Sequence, residues 1–177
     1  TKSYGVIYEE SSGEIKECLV SPNTIGDMLS TGIGIWDNSD VTVDPSTVEN
    51  FGRIGIFVYN NCSVGIYDST IECQAYSGEG EVCYGIEVEG AWGSDDPATA
   101  SHVTIKRNEI YNCDNTFSPE PSWESGGIYI NGWLEYMAEA DSTVIKEDNN
   151  IHHNYEGIIA IKSPSSYAHN NNIYNNR

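Results

Sequence analysis

The sequence has little positive charge. Only 8 lysine and arginine residues stand against 27 aspartate and glutamate residues, which gives a formal net charge of −19. Such a chain repels phosphate backbones, so we expect no binding to nucleic acid. It also lacks any apolar run near the length of about 18 residues that crosses a bilayer, and no basic segment followed by an apolar one opens it. We therefore predict no transmembrane segment.

Helical periodicity is missing as well. No stretch keeps apolar residues at the i, i+3, i+4, i+7 spacing for three turns, whereas short segments alternate with a period of two. Glycine contributes 17 residues, and asparagine and serine recur too often for helices. The five cysteines follow neither Cys-x-x-Cys nor any other zinc-type spacing, so we predict no structural zinc site. The sequence is typical of an all-β protein.

Two short motifs recur along the chain. Gly-Ile-x-Ile/Val, or a close variant, occurs at 32–35, 55–58, 85–88 and 127–130, and more loosely at 157–160. The motif apolar-x-apolar-x-x-Asn/Ser-x-Ile/Val follows, as at 41–48, 64–71 and 103–110. Constant strands between corners of variable length indicate a solenoid, whose coils place apolar residues above one another. We predict a right-handed, single-stranded parallel β-helix of about six coils, with long corner loops in coils four and five at 89–102 and 131–143.

The repeats fill residues 1–177, which we interpret as a single domain. The pattern starts within a repeat at Tyr4 and stops within one at Arg177. We therefore expect a fragment of a longer β-helix, although a chosen boundary explains the same ends equally well.

The repeats assign structural roles to several residue types. The polar residue of the second motif predicts a hydrogen-bonded ladder of Asn23, Ser46, Ser69, Asn108, Asn149 and Asn171. The glycine that opens each first strand predicts a positive φ or a close backbone approach. Cys18 falls where other coils carry valine, so we expect it to point inward. Cys73 and Cys113 lie at nearly matching corners and could pair in an oxidising environment, with Cys62 and Cys83 as the complementary pair, but the sequence leaves the connectivity open.

Three runs, "NEIYNC", "NNIHHNYEGI" and "NNNIYNN", resemble the parallel β-helix repeat of pectate-lyase-like proteins. That superfamily includes polysaccharide lyases, epimerases and non-catalytic surface proteins, so the resemblance implies the fold and leaves the function open. The acidic, tyrosine-rich chain also resembles secreted or cell-surface proteins of methanogen-type archaea, including the disaggregatase-related group.

Outward residues of the first strand form two predicted columns. One consists of Gly34, Phe57, Glu87, Tyr129 and Ile159, and the other of Trp36, Tyr59, Glu89, Asn131 and Ile161. Aromatic rings beside carboxylates and amides suit a sugar chain. The predicted carbohydrate-binding residues are Trp36, Tyr59, Glu87, Glu89, Trp92, Tyr129, Asn131 and Trp133. The alternative is that a loop, an adjoining domain or a second copy covers this aromatic face.

Catalytic and metal-binding candidates are fewer. Glu87 and Glu89 could act as acid and base of a glycosidase if their carboxyl groups lie about 5 to 9.5 Å apart. A lyase needs a base and a group that neutralises the uronate carboxylate, for which Lys106 and Lys146 are the candidates. Calcium is compatible with the negative charge, and its candidate ligands are Asp37, Asp40, Asp95 and Asp96, although solvated turns explain these residues equally simply. No cofactor is required.

These observations lead to two hypotheses. The first is an extracellular or cell-surface β-helix module that recognises polysaccharide or contributes to a surface structure, with polysaccharide or a neighbouring surface protein as partner. The second is a polysaccharide-degrading lyase or glycoside hydrolase acting on an acidic or amino-sugar glycan. A homo-oligomer through the aromatic face is compatible with the first.

Overall fold

The computed structural model describes residues 4–22, 30–73, 83–90, 101–113, 125–131, 142–161, 163 and 166–177. Within these ranges the chain forms eighteen β-strands and no helix. Consequently, no described helix is long and apolar enough to cross a membrane. The predicted all-β class is confirmed.

The strands form three parallel sheets of six strands each. Sheet 1 consists of β1 (Tyr4–Glu9), β4 (Thr31–Trp36), β7 (Ile54–Tyr59), β10 (Tyr84–Glu89), β13 (Gly126–Asn131) and β16 (Glu156–Ile161). Sheet 2 consists of β2 (Ser12–Ile15), β5 (Asp40–Val43), β8 (Ser63–Tyr67), β11 (His102–Lys106), β14 (Ser142–Lys146) and β17 (Tyr167–His169). Sheet 3 consists of β3 (Cys18–Val20), β6 (Ser46–Glu49), β9 (Thr70–Glu72), β12 (Glu109–Tyr111), β15 (Asn150–His152) and β18 (Asn172–Tyr174). Each set of three consecutive strands is one coil, which confirms the six predicted coils.

The interior is a stack of branched apolar side chains contributed by all three sheets. Strand pairing places Ile56 of sheet 1 level with Ile33 and Ile86, and each of the three is fully buried. Sheet 2 contributes a similar column that includes Ile66 and Ile105. Burying one such side chain contributes about 1.5–3 kcal/mol. This regular core fixes which residues of each strand point outward.

A polar ladder follows the corner between sheets 2 and 3, as predicted. The backbone N–H of Ser46 donates to Ser69 Oγ at 3.0 Å, and that of Ser69 donates to Asn108 Oδ1 at 2.9 Å. Asn108 N–H donates in turn to Asn149 Oδ1 at 2.9 Å, and Asn149 N–H donates to Asn171 Oδ1 at 3.3 Å. The ladder therefore joins coils two to six.

The alignment predicted for the first coil is wrong. Cys18 pairs with Ser46 and is exposed, so it occupies the ladder column and not the inward valine column. Asn23, which was assigned to the ladder, lies outside the described residues, and its predicted place is taken by Cys18. The valine column is occupied instead by Gly13, whose missing side chain leaves room for the ring of Tyr8, because an added Cβ would lie 2.6 Å from that ring. Because the apolar group at this position comes from Tyr8 and not from Gly13 itself, the sequence shows no apolar residue where the repeat requires one.

The predicted disulfide pairs are also wrong, because Cys73 bonds to Cys83 and not to Cys113, while Cys62 and Cys113 are free and buried. Cys73 directly follows β9 and Cys83 directly precedes β10. Both therefore flank the same corner between sheets 3 and 1. Matching positions on successive coils had suggested Cys113 as the partner, whereas the shorter connection joins the two ends of one corner.

Candidate functional site

The outer face of sheet 1 has the register predicted from the sequence. Glu87 lies level with Phe57 and Tyr129, and Glu89 lies level with Tyr59 and Asn131. Trp36 pairs with Tyr59 on the other side. Both outward columns are therefore present and adjacent.

Four side chains of this face are buried. The exposed fraction is 2% for Glu87, 6% for Glu89, 7% for Tyr129 and 6% for Asn131. Tyr129 stacks on Tyr84 with ring centroids 4.5 Å apart, within a second hydrophobic cluster on this face. Four of the predicted carbohydrate-binding residues thus form part of a covered layer, which is the alternative left open by the sequence.

The remaining aromatic residues of this face pack against one another. The Tyr4 and Trp36 rings meet edge to face at 5.1 Å, and Phe57 stacks on Tyr59 at 6.0 Å. Trp36 and Tyr59 are half-buried. Trp92, Trp133, Asp95 and Asp96 lie outside the described residues, so their predicted roles remain predictions.

An open groove lies on the outer face of sheet 2. It crosses β5, β8, β11 and β14 and has a volume of about 260 Å³. This volume is slightly below the lower limit of about 300 Å³ that is typical of ligand pockets. Strand pairing stacks Asp40, Ser63 and His102 along one side of it. The residues that line it are Asp40, Thr42, Ser63, Val64, Gly65, Tyr67, His102, Val103, Thr104 and Val144.

A glycine forms the floor of this groove. Gly65 pairs with Thr42 and Thr104, so the two threonine side chains flank a position that carries none. The ring of Tyr67 lies across that position, since an added Cβ at Gly65 would be 2.5 Å from Cε2 and 2.6 Å from Cζ of the ring. Tyr67 is half-buried, so part of its ring is accessible. Hydroxyl, carboxylate and imidazole groups therefore surround an aromatic ring.

Strand pairing places Lys106 level with Lys146 on successive coils of sheet 2. Lys106 forms an ion pair with Glu147, and its hydrogen bond lowers the pKa of that carboxyl group. Arg107 donates to both carboxylate oxygens of Asp68, at 2.6 and 2.5 Å, and this hydrogen bonding lowers the pKa of Asp68. Arg107 has a φ of 55° at the corner, which explains how two successive basic residues both reach the surface.

The four catalytic candidates are not brought together. Glu87 and Glu89 lie on sheet 1 and are buried, whereas Lys106 and Lys146 lie on sheet 2. The apolar core separates the two sheets, so the glycosidase pair and the lyase pair belong to different faces, and the catalytic role of each remains a separate prediction.

Of the calcium candidates, Asp37 and Asp40 are described. Asp37 has a φ of 46°, and its Oδ1 accepts a hydrogen bond of 2.5 Å from Asn60 of the next coil, which gives it a structural role at the corner. Asp40 lies in the groove. Among the described residues, the acidic side chains form no group of three converging ligand atoms.

Sheet 3 carries a stack of rings that the sequence analysis missed. The Tyr111 and His152 centroids are 5.3 Å apart, and those of His152 and Tyr174 are 4.9 Å apart. Burial and a hydrogen bond with the Glu72 carboxylate raise the pKa of Tyr111 to about 12. The identical spacing of these rings from Ile110, Ile151 and Ile173 is the signal that could have revealed the stack.

Comparison with curated proteins and with solved structures found no match. A family model described as "right handed beta helix region" matches residues 1–177, in agreement with the three parallel sheets. The chain therefore belongs to the right-handed β-helix family.

Proposed function

We propose that this chain is a β-helix module of an extracellular or cell-surface protein and that it recognises polysaccharide along sheet 2. The observation that carries the proposal is the open groove around Tyr67, which extends over several stacked coils. A polymer lying along the stack would contact equivalent positions on successive strands, because neighbouring strands in a parallel sheet lie about 4.8 Å apart.

The groove residues have the chemistry that a sugar requires. The hydroxyl groups of Thr42, Ser63 and Thr104 both donate and accept hydrogen bonds, and Asp40 accepts them. The accessible part of the Tyr67 ring offers an apolar surface for the C–H groups of a pyranose. A shallow groove of this kind binds a short stretch of a chain weakly, and repetition along a polymer increases the apparent affinity.

A cell-surface location is supported by the Cys73–Cys83 disulfide, because such bonds persist in oxidising compartments. The acidic composition supports a soluble surface that does not attract nucleic acid. A role in a surface structure through sheet 1 would have to use the half-buried Trp36, Phe57 and Tyr59. The catalytic alternative has less support, since Glu87 and Glu89 are buried and Lys106 is held in an ion pair with Glu147.

Replacing Tyr67 by alanine should weaken polysaccharide binding by about tenfold or more. The variant removes the ring at the groove floor and leaves the core strands unchanged. Affinity electrophoresis in gels containing neutral or uronate-rich polysaccharides measures the effect as reduced retardation. His102→Ala should give a smaller loss, because it removes one polar contact at the side of the groove.

Tyr174→Ala provides the matched control. Tyr174 is a partly exposed tyrosine on the outer face of sheet 3, away from the groove. It should leave retardation unchanged. Equal losses in both variants, or no retardation of the wild-type chain by any glycan in the panel, would show that sheet 2 is not the recognition surface.

A further inference from the structure

Three buried cysteines meet at the corner between sheets 3 and 1. The Sγ atoms of Cys73, Cys83 and Cys113 all lie within 4.8 Å of one another. Cys73 and Cys113 follow the sheet 3 strands β9 and β12 of successive coils, and Cys83 directly precedes β10 of sheet 1. The exposed fraction is 1% for Cys73, 7% for Cys83 and 0% for Cys113. Two of these sulfur atoms form a disulfide and the third is a free thiol directly beside it.

We propose that in the reduced protein these three cysteines form a binding site for a soft metal cation of the Zn²⁺ or Cu⁺ class. Thiolates select these ions among the common biological metals. With metal–sulfur distances of about 2.3 Å, three sulfur atoms around one ion in a plane lie about 4 Å apart, which the observed separations accommodate. This inference is independent of the proposed polysaccharide recognition.

The backbone favours such a site. The Cα atoms of Cys73 and Cys83 are 7.3 Å apart, longer than the range of about 4.4–6.8 Å usual for directly bonded cysteines. A bridging ion needs no such close approach.

Metal binding and the disulfide are alternative states of the same sulfur atoms. A dithiol reductant converts the Cys73–Cys83 disulfide to two thiols and is itself oxidised to a disulfide. The metal cation then forms three metal–sulfur bonds, and the three thiols release three protons. Sequence motifs could not reveal the site, because zinc patterns rely on close spacing in the chain, whereas here the stacking of coils brings Cys113 to the other two.

The test uses Cd²⁺ as the probe, because its bonds to thiolates give a charge-transfer absorption in the ultraviolet. The whole chain is reduced, unfolded and refolded without oxygen in the presence of Cd²⁺, since the sulfur atoms are buried in the folded state. We expect absorption that saturates at one equivalent per chain and a higher Tm for the reduced protein with Cd²⁺ than without it. The oxidised protein should show neither effect.

Cys113→Ser should bind Cd²⁺ at least about a hundredfold more weakly, whereas Cys62→Ser, which removes a buried thiol at another corner, should bind as the wild type does. If the reduced wild-type chain is unfolded without metal, Cd²⁺ should restore its β-sheet circular dichroism, and Cys113→Ser should not respond. The proposal is overturned if the reduced chain shows neither absorption nor stabilisation, if Cys113→Ser matches the wild type, or if the oxidised chain binds equally.

Discussion

Replacing Gly55 by alanine should lower the free energy of unfolding by about 3 kcal/mol. An added Cβ would lie 2.5 Å from the carbonyl oxygen of Gly85, 2.7 Å from Ile71 Cγ2 and 3.0 Å from the Phe51 ring. The first contact is with backbone of the next coil, and the other two are with buried side chains. The carbonyl oxygen cannot withdraw without separating the coils, and the two side chains are held in place by the packed core. Urea denaturation followed by circular dichroism measures the loss.

Gly34→Ala is the matched control. Gly34 points outward from the neighbouring strand β4, where an added Cβ would lie 3.3 Å from the Tyr4 ring and 3.4 Å from Trp36 Nε1. Both are side chains at the surface layer of sheet 1, so they can move slightly. We expect a loss under about 1 kcal/mol. Similar losses in the two variants would mean that close packing between coils does not determine the glycine positions.

The sequence predicted the features that repeat in every coil. Period-two alternation and a glycine near the start of each first strand identified the inward and outward columns of sheet 1, and strand pairing confirms them from Trp36 to Asn131. The glycines near the start of the described strands of sheet 1 have no positive φ, so the close backbone approach was the correct half of the prediction. Repetition supplies several independent observations of one position, which is why the fold was predictable from one chain.

Features that depend on a single coil were not predictable. The ring of Tyr8 fills the place of a side chain at Gly13, so the first coil lost its apolar signal and was aligned wrongly. Burial of Glu87 and Glu89 depends on packing outside the repeat, since both point away from the core. The groove of sheet 2 arises where Gly65 replaces a side chain in one coil. Candidate sites therefore arise where one coil departs from the others.

Replacing Asn149 by alanine should cost about 4 kcal/mol, because several buried polar groups lose partners at about 1–3 kcal/mol each. Asn149 Nδ2 donates to the carbonyl oxygens of Ile105 and Lys146, at 3.1 and 2.9 Å, and to Asn171 Oδ1 at 2.7 Å. Its Oδ1 accepts from Asn108 N–H at 2.9 Å. The side chain is fully buried, so water cannot replace these bonds. The loss should show as a lower urea midpoint.

Two further variants separate the ladder from a general effect of removing asparagine. Asn149→Ser should recover part of the loss, because Ser69 in the same column both accepts from Ser46 N–H and donates to the Tyr67 carbonyl oxygen. Asn172→Ala removes an exposed amide with a single bond to Asn150 and should change stability by less than about 0.5 kcal/mol. If Asn149→Ala proved as mild as Asn172→Ala, apolar stacking alone would hold successive coils in register, and the polar column would contribute nothing to it.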